Sequence, residues 1–394
     1  MTGSGAEAFQ EAARKVAGTL AADAVAREEA NRPPFAEVEL AREAGLLDAL
    51  VPAELGGQGL SWPDVLAAVR PIIRADASIG HVLTYHYLNS WRIRLNTRSD
   101  VIEALERESA ARRWFWGGAG NPRDAALDLV PDGDGFRVTG RKFFATGAQV
   151  SDRITASGTR VDTGEKLAIV IDAHAEGVTH HDDWDNLGQR LSASGSVSFE
   201  SVRVPDAQVL GSSGQAGEQF RPYPSLSILF FQLVLAHLHV GIAEGALAAA
   251  SEYVRTKVRP WATSGVELAV EDPYLLEITG ELVAQTAAAD ALTWRVTRQA
   301  EDAVARGWEL TEAERGELAV DIATAKVASS RAVVEVTSKV FELTGARATT
   351  RATGFDRFWR NARTITLHDP VVYKAREIGE FTLAGTLPTP SNYS

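Results

Sequence analysis

The chain is predicted to be mainly α with a central β domain, and three observations carry that expectation. Apolar residues recur every three or four positions through residues 1–112, the spacing of a helix face. Between about 113 and 211 the pattern changes to short β-rich runs separated by turn clusters. Long helical periodicity then returns and fills 212–394. These limits define an N-terminal helical domain, a middle antiparallel β domain and a C-terminal four-helix bundle.

Each element has a local reason. Ala-, Glu- and Arg-rich runs at 6–30 and 35–47 are parted by Pro33-Pro34, and Pro52 with Gly56-Gly57 marks a loop. Helices continue over 62–77 and 80–95. Strands are expected at 135–139, 142–146, 167–172 and 197–204, with turns at 131–135 and 163–165. A Gly/Ser-rich link at 211–217 precedes helices at 225–258, 273–306, 311–344 and 355–384, the last broken at Pro370. Thr311 and Glu314 have the spacing of a capping box, in which each side chain satisfies the other residue's backbone N–H.

Composition removes several function classes. The net charge of −12 argues against nucleic acid or an anionic membrane as partner. With no cysteine there is no disulfide, thiolate nucleophile or thiolate metal site. Met1 is the one methionine. So little sulfur fits a GC-rich coding bias, resistance to an oxidant made in the site, or expression when sulfur is scarce. The N-terminus lacks a basic region followed by an apolar one, and the apolar run 226–240 is interrupted by Gln232, His237 and His239. A cytoplasmic location is expected.

Candidate chemistry lies in three places. In residues 140–148, Thr146 offers a hydroxyl to the edge of a planar ring and Gly147 permits close backbone approach; ordinary strand–turn packing is the alternative. Trp184 precedes a Ser/Gly-rich segment containing Ser194, as core indole or as ligand wall. Near the C-terminus, Trp359-Arg360-Asn361-Ala362-Arg363 leads into Leu367-His368-Asp369-Pro370, which sets basic and aromatic residues beside an imidazole and a carboxylate. The pairs His180-His181 and His237/His239 diverge on a strand and on a helix respectively, so all four are read as structural. No HExxH, Walker A loop or GxGxxG following a strand occurs, and no metal site is expected.

Taken in order, these pieces resemble the acyl-CoA dehydrogenase superfamily over nearly the whole chain. Gly140, Lys142, Phe144 and Thr146 match its flavin-side strand. Arg259-Pro260-Trp261, Glu271-Asp272-Pro273-Tyr274, residues 341–347, Trp359 to Arg363 and Leu367 to Pro370 narrow the likeness to its flavin-dependent monooxygenase branch, similar to dibenzothiophene monooxygenase and sulfur-acquisition oxygenases. The resemblance implies that Arg259 and Arg347 hold the flavin phosphate, and that Thr146, Trp184 and Ser194 flank the isoalloxazine. It implies that His86 and His368 face the reactive side with Asp369 orienting an imidazole, and that Tyr85, Tyr87 and Phe144 line the substrate pocket. Where thioether-oxidising members carry an asparagine, this chain has Gly118, with Asn121 the nearest substitute.

Dehydrogenases of the superfamily need a carboxylate base to take the Cα proton of a CoA thioester. In many, a glutamate stands where this chain has Leu367-His368-Asp369-Pro370. An imidazole suits oxygen transfer better, because it can supply or accept the proton that controls a flavin C4a-hydroperoxide near neutral pH. The expected enzyme is therefore a two-component monooxygenase using O2 and FMNH2 from a separate NAD(P)H:flavin reductase, with FAD as the alternative cofactor. The resemblance implies a homotetramer. The expected substrate is small and aromatic or organosulfur, with S-oxygenation preferred over N-oxygenation or aromatic hydroxylation.

Overall fold

The computed structural model describes residues 3–212 and 220–394, so the link read at 211–217 lies, beyond Ser212, outside the described residues. Five helices come first: α1 (Gly3–Ala30), α2 (Phe35–Glu43), α3 (Trp62–Ala75), α4 (Ala77–Arg92) and α5 (Ser99–Arg112). Pro34 is the N-cap of α2, and a reciprocal Ser61–Asp64 capping box starts α3. Asp76 ends α3 in an extended conformation and caps α4 by accepting from Ser78 N at 3.1 Å and Ile79 N at 3.2 Å.

Eight strands follow: β1 (Trp116–Ala119), β2 (Leu127–Asp132), β3 (Gly135–Lys142), β4 (Arg153–Arg160), β5 (Lys166–Asp172), β6 (Val178–His180), β7 (Val197–Pro205) and β8 (Val209–Ser212). They form one sheet in the order β6-β7-β3-β2-β4-β5-β8, with β1 also on β4. The sheet is mixed: β1 and β2 both pair with β4 in parallel, and the other ladders are antiparallel. The strand expected at 142–146 stops at Lys142. Phe144 takes a left-handed φ of 54°, which ends a ladder whatever the β propensity of Phe-Phe-Ala-Thr.

The C-terminal helices are α6 (Pro222–Thr256), α7 (Pro273–Arg306), α8 (Glu312–Thr344), α9 (Asp356–Ile365) and α10 (Val371–Ala384). Thr311 and Glu314 form the expected box at the start of α8, with Glu314 N donating to Thr311 Oγ1 at 3.2 Å. α6 is long and apolar enough to cross a membrane, but 94% of its most apolar window is buried inside the fold. One apolar core runs from Phe9 in α1 to Ile365 in α9, joining N- and C-terminal helices. At its centre Trp62, Trp91 and Phe230 interlock, with ring centroids 4.6–5.4 Å apart. Each such ring contributes about 1.5–3 kcal/mol by leaving water. The sheet has its own core, built from alternate residues such as Leu127, Leu129, Val138, Ile169 and Ile171.

This arrangement buries α4 from Ala77 to Trp91. Every polar side chain on it must find a partner in the protein or wait for one from outside.

Candidate active site

Three segments of the sheet region are knitted into one surface. Ala145 N donates to Gly195 O at 3.0 Å, Gly147 N to Ala193 O at 3.1 Å, and Gly118 N to Thr146 O at 3.3 Å. Thr146 Oγ1, Ser194 Oγ and Ser192 Oγ form a buried hydroxyl chain with steps of 2.8 and 2.7 Å. Phe144 is exposed beside half-buried Trp184, the two rings edge to face at 6.0 Å. Thr146, Ser194, Trp184 and Phe144, predicted apart in sequence, are thus brought together.

The basic–aromatic block on α9 docks this surface onto the helices. Gly188 meets Arg360 so closely that a Cβ there would lie 2.1 Å from the Arg360 carbonyl oxygen. Asn361 Oδ1 accepts from Gln189 N at 2.6 Å, and Trp184 Nε1 donates to Gln189 O at 2.8 Å. Arg360 donates to Leu187 O at 2.9 Å and forks onto Glu28 of α1.

Gln189 also fixes a catalytic candidate that the sequence reading passed over. Its Nε2 donates to Asn361 O at 3.4 Å, which turns its Oε1 toward His81 Nδ1 at 3.1 Å. A carboxamide oxygen only accepts, so Nδ1 carries the proton. His81 Nε2 is left buried, with a bare lone pair and no partner. Burial is the largest influence on this imidazole, countered by the Gln189 bond and reinforced by nearby His368; together they push its pKa down to about 3.

His368 is pinned in the same way. Its Nδ1 donates to Asp369 Oδ1 at 3.0 Å, and the ring is 35% exposed, open enough to meet a ligand. Asp369 is buried, and the same Oδ1 accepts from Lys326 Nζ of α8 and from Gln232 Nε2 of α6 at 3.5 Å. Lys326 also donates to Gln232 Oε1. Burial opposes charge on Asp369, but the His368 and Lys326 donors outweigh it and hold the carboxyl well below the usual range. Burial pushes the Lys326 amine down to about 8 against the pull of Asp369. Neither Lys326 nor Gln232 was expected. The available signal was an amide interrupting the apolar run 226–240.

Tyr85 lies one turn from His81, with ring centroids 4.4 Å apart, and its buried hydroxyl has no partner. Burial, then the Asp369 charge, pushes its phenol above the ordinary range. His81, Tyr85, His368 and Asp369 thus lie within contact or electrostatic reach of one another.

Two predicted residues are not there. His86 Nδ1 accepts from Trp116 N at 3.0 Å and Nε2 donates to Leu47 O at 2.8 Å, while the ring stacks on Phe115 at 4.7 Å. Both nitrogens are consumed within the fold, and the imidazole that shares the Tyr85 side of α4 is His81. Tyr87 is fully buried and donates to Leu46 O at 2.6 Å, on the opposite side of α4 from Tyr85. Neighbours on a helix differ by about 100°, which places residues 81 and 85 on one face and 86 and 87 elsewhere.

Asn121 closes its own turn, donating to Asp124 Oδ1 at 2.9 Å and accepting from Arg123 N at 3.1 Å. The space beside Gly118 is filled from α4 instead: a Cβ at 118 would lie 2.8 Å from Asn89 Oδ1. Of the histidines read as structural, His180, His181 and His237 are hydrogen-bonded within the fold. His239 bonds Ser329 at 3.1 Å through Nδ1 but leaves Nε2 without a partner.

Arg259 and Arg347 are exposed, and neither guanidinium has a hydrogen bond or ion pair among the described residues. The hydroxyl chain and the Phe144–Trp184 pair suit the polar edge and flat apolar face of a flavin, and an unpaired guanidinium suits its phosphate, but no contact among the described residues brings Arg259 or Arg347 to that surface.

The buried imidazoles have a consequence for stability. His81, His86 and His239 are each pushed from 6.5 to about 3, by burial first. Between those values the unfolded chain binds protons that the folded chain refuses, so their contribution is complete above pH 6.5 and lost as pH falls toward 3. Thermal unfolding at matched ionic strength is expected to show a clearly lower Tm at pH 5 than at pH 7.5. An unchanged Tm would contradict the buried neutral state of these rings.

A helical frame around a strand-rich middle, with a flavin-suited surface at their junction, defines the class. The chain matches the family described as Acyl-CoA dehydrogenase, N-terminal domain, over residues 4–97, and Acyl-CoA dehydrogenase, C-terminal domain, over residues 233–372. It belongs to the acyl-CoA dehydrogenase superfamily.

Within that class the likeness is to oxygenases. The chain is 42% identical over 384 residues to the probable FMNH2-dependent monooxygenase SfnC of Pseudomonas putida, covering 97% of this chain and 96% of that one. Methanesulfinate monooxygenase MsuC from Pseudomonas fluorescens matches with a TM-score of 0.92 and 38% identity, over 98% of this chain and 99% of that one. TdsC from Paenibacillus sp. A11-2, in complex with FMN and indole, matches with a TM-score of 0.92 and 39% identity, over 98% and 99%. The chain is a flavin-dependent monooxygenase, an oxidoreductase of this branch.

Proposed function

We propose that the enzyme transfers one oxygen atom from O2 to the sulfur of a small organosulfur substrate, using FMNH2 delivered by a separate NAD(P)H:flavin reductase in the cytoplasm. One observation carries the reading. Two imidazoles, His81 and His368, each have Nδ1 held as a donor and Nε2 free, while the carboxylate at the dehydrogenase base position is tied to Lys326. His368 is then the imidazole open to give or take a proton, His81 stays neutral as an acceptor at Nε2, and a carboxylate so engaged is a poor base for a carbon-bound proton.

Bound flavin supplies the two electrons and activates O2. Thr146 and Ser194 would hold its polar edge, Trp184 would flank its ring with Phe144 beside it toward the substrate, and Arg259 and Arg347 would take its phosphate. His368 holds a proton at Nε2 for the oxygen that departs as water, with Asp369 keeping the ring upright and balancing its charge. His81 Nε2 accepts a hydrogen bond from the reacting assembly. Tyr85 and Phe231 keep the substrate side dry; their rings meet edge to face at 5.3 Å.

Exposed Trp261, two residues along the chain from Arg259, and exposed Tyr274 support a homotetramer in which neighbouring subunits complete the phosphate site. The likeness to a methanesulfinate monooxygenase and to dibenzothiophene monooxygenases supports sulfur as the acceptor. The test supplies reductase, FMN and NADH with a panel of thioethers, sulfinates, amines and phenols. Sulfoxide or sulfonate products are expected; N-oxides or hydroxylated rings from the same panel would overturn the choice of sulfur.

A further inference from the structure

Four polar side chains lie along one stripe of α4. His81, Tyr85 and Asn89 are spaced by four residues and Arg92 follows after three, so the helix period stacks them on one face. The first three each keep one buried polar atom without a partner: His81 Nε2, the Tyr85 hydroxyl and Asn89 Nδ2. Asn89 is fixed by Thr155 Oγ1, which donates to its Oδ1 at 2.8 Å, and this leaves its NH2 group as the free end.

Arg92 completes the row with a charge. Its half-buried guanidinium lies over the Phe231 ring at 5.5 Å, and Phe231 in turn packs against Tyr85. It makes no hydrogen bond or ion pair among the described residues, although the chain holds 52 acidic residues. Burial alone pushes its pKa down, to about 10, so it stays cationic at neutral pH with no carboxylate near enough to support it. The opposite wall is bare backbone. Gly118 faces Asn89, and a Cβ on Gly120 would lie 3.7 Å from Arg92 Nη1. A water-sized cavity on the sheet side of the guanidinium is lined by Asn96, Thr155 and Ser157 together with apolar Ile93, Ile169 and Leu210.

A desolvated guanidinium without an anion is costly, and its planar fork matches the paired oxygens of a carboxylate, sulfinate or sulfonate. We propose that Arg92 anchors an anionic group on the substrate, with Asn89 Nδ2 as a second donor, so that the preferred substrate is an organosulfur anion. His81 and Arg92 are eleven residues apart, about 16 Å along the helix axis, and the long arginine side chain leans back toward the N-terminus. The anionic group is therefore separated from the reacting sulfur by a short chain or a ring. This rests on the reading of the cleft as the oxygenation site.

The probe pair is para-(methylthio)benzoate and its uncharged methyl ester, titrated calorimetrically into the FMN-loaded enzyme, with FMN affinity measured in parallel. Wild type is expected to bind the acid more tightly than the ester. Arg92→Gln is expected to weaken the acid roughly thirty-fold or more, leaving ester and FMN affinities unchanged, and Arg92→Lys to recover part of the loss. Equal binding of acid and ester, no binding of the acid, or loss of ester or FMN affinity in Arg92→Gln would each overturn the proposal. Charge-selective binding without any sulfoxide in turnover assays would instead count against the monooxygenase reading and leave the anchor standing.

Discussion

His368→Ala is expected to cut product formation roughly a hundred- to ten-thousand-fold, the range lost when a positioned proton donor or acceptor is removed. Reduced flavin should still be consumed, with its electrons diverted to hydrogen peroxide, because the variant leaves Thr146, Ser194 and the arginines in place. His81→Ala should also uncouple, since it removes the unpartnered Nε2 beside Tyr85 and within electrostatic reach of His368. His86→Ala should not. That substitution strands the Trp116 N–H and the Leu47 carbonyl and opens a cavity, a stability loss on the order of 3 kcal/mol. Peroxide and product quantified per FMNH2 consumed, alongside urea unfolding, separate the two outcomes. Uncoupling by His86→Ala with full stability, or coupled turnover by His368→Ala, would reverse the assignment.

Lys326→Ala is the second large effect. It leaves the Asp369 carboxylate buried with only His368 and Gln232 as donors, and breaking a buried pair from one side costs about 3–5 kcal/mol. Removing both charges together, as Lys326→Met with Asp369→Asn, should restore much of that stability, because the desolvation cost disappears with the charges. Activity should not return, since an amide at 369 replaces the carboxylate that fixes His368 Nδ1 as a donor. A double-mutant cycle in urea over Lys326→Met, Asp369→Asn and their combination measures the coupling. Additive losses, or a Lys326→Ala protein as stable as wild type, would show that the pair is not the buried unit described.

The helical frame was legible because its stops are written in local chemistry: Pro34 before α2, the Thr311–Glu314 box before α8, and Pro370 between α9 and α10. The short strands were less so. β1 is Trp-Gly-Gly-Ala and β4 carries Ala, Ser and Gly, residues that pair only because the sheet around them supplies the ladder. The error at residue 86 has a plain geometric origin. Once Tyr85 is taken to face the pocket, the imidazole sharing its side of a helix stands four residues away, not beside it. Lys326, Gln232 and Gln189 were beyond reach for another reason. Their roles arise where α6 and α8 meet at Asp369 and where the loop before β7 meets α4 and α9, contacts set by packing between segments far apart in the chain. The motif around Asn361 was visible, but its task was not: it positions Gln189, and through it His81.

The most direct test of oxygen transfer is turnover under isotopically heavy dioxygen, with FMNH2 supplied and the sulfur product analysed by mass spectrometry. One heavy oxygen atom per product molecule, with peroxide rising as His368 is removed, is the expected result. Oxygen drawn from water, or anaerobic reduction of the bound flavin by an acyl-CoA thioester, would contradict it.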